Sequence, residues 1–124
     1  MSFFNFRKVV DTMKTQKTEY FPVPALRENL RERANLLASR LSRSVARLTS
    51  CDMPCPEYGD EVQFQQELTQ ELFYVQHCRT ALERCAAAGG ATLRYRRLDG
   101  TQVVTRFKKI GPNRVKVLGL EKAG

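Results

Sequence analysis

Between Leu26 and Leu48 the apolar residues Leu26, Leu30, Ala34, Leu37, Leu41, Val45 and Leu48 recur at steps of three and four. That spacing places them on one face of an α-helix. Arg33, Arg40, Arg43 and Arg47 form a second stripe on the same segment. At 100° per residue this stripe runs roughly 100° around from the apolar seam, beside it rather than opposite. Such a helix buries one flank and presents charge on the next. Pro24 fits its first turn, where a missing N–H costs nothing.

Pro54, Pro56 and Gly59 interrupt the helical pattern in TSCDMPCPEYGD, which reads as a loop of roughly ten residues. A second helix is expected from Glu61 to Ala88, with Asp60 as its N-cap. Phe64, Leu68, Leu72, Val75, Cys78, Leu82 and Ala86 share one face of it, and Phe73 lies on the far side. Two long helices joined by a short loop suggest an antiparallel hairpin. The exposed aromatic at Phe73 suggests a further contact, with the C-terminal strands or with another subunit, and at least a dimer is expected.

Gly89-Gly90 ends the helical period, and the pattern then shortens to two. ATLRYRRL, Asp99-Gly100 and TQVVTRFKKI read as a β-hairpin. A two-residue loop at Asp99-Gly100 would set Tyr95 opposite Val104 and Arg96 opposite Val103. Gly111-Pro112-Asn113 makes the next turn and RVKVLGL a third strand. In that register the faces are mixed: Leu93, Tyr95 and Val104 on one, Leu98, Val103 and Phe107 on the other. Periodicity does not say which is buried. Ahead of the first long helix, Phe3, Phe6, Val10 and Met13 match a short amphipathic helix over residues 3–16, serving either to close the core or to dock on a partner or membrane surface. Thr18 to Pro24 is extended, because residues before proline are pushed out of the helical region.

The expected architecture is therefore α+β: an N-terminal short helix, an antiparallel long-helix hairpin and a C-terminal three-stranded antiparallel β-meander. At 124 residues the chain suits a single domain over 1–124. Within it, 1–24 is an arm, 25–90 the hairpin and 91–124 a basic meander.

Charge sharpens this picture. The net charge is +8, unevenly spread. Residues 1–50 hold ten basic and four acidic side chains, residues 51–90 two and seven, and residues 91–124 nine and two. An acidic middle between basic ends permits internal pairing as well as an exposed cationic surface. No apolar run approaches the ~20 residues that cross a bilayer. The opening MSFFNFRKVV lacks a long apolar region and a small-residue cleavage site. An intracellular location, in the cytoplasm or nucleus of a host or producing cell, is expected, without secretion or membrane insertion.

Four cysteines and one histidine raise the question of zinc. Its ligands must converge within about 2.0–2.3 Å of one point. On a straight helix Cys78 stands roughly 25 Å from Glu61, and Cys78 and Cys85 stand roughly 10 Å apart. Both occupy seam positions, where free cysteine behaves as a small hydrophobe, so no metal and no other cofactor is expected. Cys51 and Cys55 could close a local disulfide under oxidising conditions, whereas an intracellular protein would keep both reduced. His77 has no nucleophile motif around it, and Gly89-Gly90 precedes a strand rather than the helix of a phosphate-binding loop. The pattern points away from catalysis.

The basic residues carry the main functional signal. Arginine's planar fork suits phosphate, giving two parallel hydrogen bonds. Arg33, Arg40, Arg43 and Arg47 could track a phosphate backbone, or could be neutralised by Glu67, Glu71 and Glu83 of the second helix. The meander contributes Arg94, Arg96, Arg97, Arg106, Lys108, Lys109, Arg114 and Lys116, with Tyr95 and Phe107 interleaved as stacking candidates. Protection of sheet edges by charge is the alternative there. The expectation is a non-catalytic protein that binds RNA or DNA through phosphate contacts with little sequence specificity. Its size, charge and layout are compatible with a viral or phage accessory protein. The competing reading is an oligomeric coiled-coil module that docks an acidic protein partner.

Overall fold

The computed structural model describes residues 17–52 and 55–121. The helix expected over residues 3–16 lies outside them. Strand β1 (Thr18–Pro22) leads into helix α1 (Val23–Ser50), followed by helix α2 (Tyr58–Ala88). Strands β2 (Gly90–Arg96), β3 (Gln102–Gly111) and β4 (Arg114–Leu118) complete the chain. The fold is α+β: two long helices followed by an antiparallel meander. The extended TEYFP segment adds a fourth strand. It pairs antiparallel with β4, so the sheet runs β1-β4-β3-β2.

Helix α1 starts with Pro24 in its first turn, and the Val23 amide donates to the Asn113 carbonyl of the β3–β4 turn at 2.7 Å. This bond ties the helix entry to the sheet. Helix α2 begins three residues before Glu61, so Asp60 lies in its first turn rather than at its cap. There its charge still complements the positive end of the helix dipole. Gly89 ends α2 at φ 96°, and its amide donates to the Cys85 carbonyl at 2.8 Å. A side chain would strain that left-handed conformation.

Leu26, Leu30, Ala34 and Leu37 of α1 are buried with Leu68, Val75, Cys78 and Leu82 of α2. Tyr74, Ala81 and Cys85, a neighbouring stripe on α2, join the same cluster as Leu93, Val103, Phe107, Val115 and Val117 of the sheet. Helix α2 thus belongs to both layers, which is why its buried face is wider than a single seam. At the loop end the apolar seam stops short. Val45 and Phe64 are exposed, and Ser44 and Glu61 are buried instead. The Ser44 hydroxyl donates to Glu61, Arg47 pairs with the same carboxylate, and Gln65 donates to Ser44 at 3.2 Å. Between the helices a disulfide joins Cys51 and Cys55.

The β2–β3 hairpin differs from the expected register by one residue. Tyr95 faces Val103 and Arg96 faces Gln102. Its loop has three residues, Leu98-Asp99-Gly100, because the Arg97 amide donates to the Thr101 carbonyl at 2.8 Å and the Gly100 amide to the Arg97 carbonyl at 2.9 Å. Gly100 takes φ 90°, as a type I turn followed by a glycine bulge requires. A one-residue slip exchanges the faces of a strand relative to its partner. In the observed register Leu93 and Tyr95 share one face with Val103, Thr105, Phe107, Val115 and Val117. That is the buried face.

Candidate functional site

Since successive side chains alternate across a strand, burial of this inner set fixes what points the other way. The outer face carries Arg94 and Arg96 on β2, Arg106 and Lys108 on β3, Arg114 and Lys116 on β4, and Tyr20 on β1. Val104, Leu118, Thr18 and Thr92 lie between them. No acidic residue occupies an outward position of the four strands. Lys108 stands directly opposite Lys116, and Arg106 opposite Leu118, two cross-strand pairs further along on the same face. Directly opposed like charges destabilise an antiparallel pair. The Lys108–Lys116 pair works against the sheet that displays it.

The cluster is centred on interior strands. Strands β3 and β4 each have neighbours on both sides, and the sheet edges are β1 and β2. Edge protection therefore does not account for Arg106, Lys108, Arg114 or Lys116. Ile110 is the extra residue of a bulge between Lys109 and Gly111, beside the β3–β4 turn.

Four of the meander residues singled out by sequence lie elsewhere. Phe107 is 2% exposed and Tyr95 points inward, its hydroxyl donating to the Gln70 carbonyl at 2.8 Å. Neither is available for stacking on the outer face, because the shifted register turns both toward α2. Lys109 also turns inward, and its ammonium donates to the Ala86 carbonyl near the C-terminus of α2 at 3.2 Å. There it meets the negative end of the helix dipole. Arg97 pairs with Glu121 at 2.8 Å. The exposed aromatic of the outer face is Tyr20, 55% accessible. Only the pairing of TEYFP with β4 brings it there, and no sequence period marks so short a strand.

The arginine ridge of α1 lies on the helical side of the sheet, apart from the outer face. Arg47 pairs with Glu61, and Arg33 donates to the Glu121 carbonyl at 3.3 Å. Arg40 and Arg43 are exposed, and neither forms an ion pair among the described residues. None of Glu67, Glu71 and Glu83 pairs with the ridge; Glu83 takes Arg27 in a two-bonded fork at 2.8 and 2.9 Å. The ridge and the strand cluster do not form one surface.

Cys78 and Cys85 are buried free thiols, and burial pushes the Cys78 thiol up to about 11. Among the described residues no three His, Cys, Asp or Glu side chains converge as a metal site would require. None of the described helices is long and apolar enough to cross a membrane. Comparison with protein-family models, curated proteins and solved structures finds no match to this chain.

Proposed function

We propose that the protein binds nucleic acid, RNA or DNA, through the outer face of its sheet, by phosphate contacts and with little sequence specificity. The observation that carries this reading is the six-cation face without an outward acid, centred on interior strands. Like charges held together against their own repulsion are relieved by a polyanion, which replaces many monovalent counterions at once. Arg94, Arg96, Arg106, Lys108, Arg114 and Lys116 act together as the contact set. Such contacts position a backbone and carry no base identity, hence the low specificity.

A salt titration with mixed-sequence single- and double-stranded RNA and DNA tests it. Affinity falls linearly in log salt, and changing Arg106, Lys108 and Lys116 to Ala flattens the slope by about 0.7–0.9 per lost contact. Absence of binding to all four polymers at about 50 mM salt, where phosphate contacts are strong, overturns the proposal.

A further inference from the structure

Beside the free edge of β2, a groove of about 760 Å³ opens between α2 and the β2–β3 loop. That is within the range of roughly 300–1,000 Å³ typical of sites for small ligands. One wall is aromatic. Ring centroids are 6.5 Å apart for Phe73 and His77 and 6.4 Å for His77 and Tyr95. The His77 Nδ1 donates to the Phe73 carbonyl at 2.7 Å, since a carbonyl can only accept. Gln70 braces the loop: its side-chain oxygen accepts the Leu98 amide while its backbone carbonyl holds the Tyr95 hydroxyl. Phe73 and Leu98 remain 57% and 73% exposed in this frame. Among the described residues Arg96 is the one Arg or Lys lining the groove, and no carboxylate lines it. Arg96 also belongs to the outer cationic face, so the two surfaces are continuous through it.

We infer that this groove takes an unstacked nucleobase, and that the nucleic acid carried by the outer face is single-stranded. The inference rests on the nucleic-acid reading of that face. Four strands spaced about 4.8 Å apart span roughly 14 Å, so the face does not enter a major groove of about 12 Å, and a duplex meets it only through outer phosphates, its paired bases offering nothing to the groove beside β2. A single strand instead lies across the cations and turns a base over the β2 edge. Aromatic faces accept any base, so stacking on Phe73 adds affinity without imposing a sequence. Gln66, on the same side of α2, supplies an amide that can hydrogen-bond a base edge.

The test compares the wild type with Phe73→Ala on an oligonucleotide of about twelve nucleotides, within the usual single-strand site range, and on its duplex. A 2-aminopurine reporter in the single strand reads the base environment. The single strand binds at least about tenfold tighter than the duplex, and Phe73→Ala weakens it by about five- to a hundredfold with an unchanged salt slope, because stacking carries no charge. Circular dichroism confirms that this surface variant keeps its helices. The 2-aminopurine emission changes on binding wild type and changes less with Phe73→Ala.

Equal or tighter duplex binding overturns the inference, as does unchanged reporter emission; either leaves nucleic-acid binding standing. Dissociation of an assembly to a 14.2 kDa species by Phe73→Ala, with affinity unaltered, also overturns it and assigns the groove to a second copy. Failure of every polymer to bind removes the function itself, a result distinct from these.

Discussion

The phenol of Tyr74 and the hydroxyl of Thr105 lie 2.6 Å apart in the core, joining α2 to an interior strand of the sheet. Their neighbours set the direction of the bond. The Glu121 amide donates to the Tyr74 oxygen at 2.9 Å, and the Thr105 hydroxyl donates to the Gly119 carbonyl at 2.9 Å. Tyr74 therefore donates to Thr105, and a single hydrogen-bond chain holds the segment after β4 against α2. Burial is the main cause that pushes the Tyr74 phenol well above its ordinary pKa. Removing the hydroxyl in Tyr74→Phe leaves the Glu121 amide without this partner, and such a loss costs about 1–3 kcal/mol. Urea unfolding should show that loss as a lower midpoint at unchanged slope. Adding Thr105→Val should then cost less than it does alone, because the two side chains share one interaction.

Gly100 isolates the backbone contribution to hairpin register. A Cβ there meets nothing within 4 Å, so strain at φ 90° is the whole penalty. Gly100→Ala should cost about 1–2 kcal/mol without altering the helices, measured by thermal unfolding and circular dichroism.

Acid should loosen the loop end of the helical hairpin. The Ser44 hydroxyl bond, together with Arg47, holds the Glu61 carboxyl below its usual range against the opposing effect of desolvation. A depressed folded pKa means that its stabilisation is complete above the unfolded carboxylate value and disappears as pH falls through the folded one. Glu61→Gln should lower the thermal midpoint at neutral pH, and the gap from wild type should close as the medium becomes acidic. A gap independent of pH would mean that the carboxylate charge does not matter there.

Reduction should act on the same end of the molecule. The Cys51–Cys55 bridge closes a small loop, for which the chain-entropy relation gives about 2 kcal/mol. Cys51→Ser with Cys55→Ser should lower stability by that order in denaturant titrations, and added reductant should then have no further effect.

The α1 ridge should separate from the outer face in binding. Changing Arg33, Arg40 and Arg47 to Ala should leave the salt slope of nucleic-acid binding unchanged, since these residues stand on the other side of the sheet. The same variant should lose stability through Arg47, whose carboxylate partner is mostly buried. A flattened slope would bring the ridge into the contact set.

Much of the architecture was legible because it is written in local periods. The three-to-four spacing of Leu26 to Leu41 and of Leu68 to Leu82 identified both helices, Gly89 marked the end of α2, and the turn residues at Asp99-Gly100 and Pro112-Asn113 marked the hairpins. The excess of basic residues after residue 90 is likewise a property of the chain. Those features depend on neighbours a few positions away, so sequence alone determines them. Three others depend on partners far along the chain. A three-residue loop in place of two decided which strand residues face α2, moving Tyr95 and Phe107 into the interior. Pairing of β1 with β4 placed Tyr20 beside the cations and made β4 an interior strand. Contact between the helix ends put Glu61 under Ser44 and Arg47, where apolar spacing pointed to Val45 and Phe64. In each case the local pattern permits both arrangements, and the choice falls to the one that gathers Leu93, Val103, Phe107, Val115 and Val117 on one buried face and leaves no described buried side-chain polar atom unpaired.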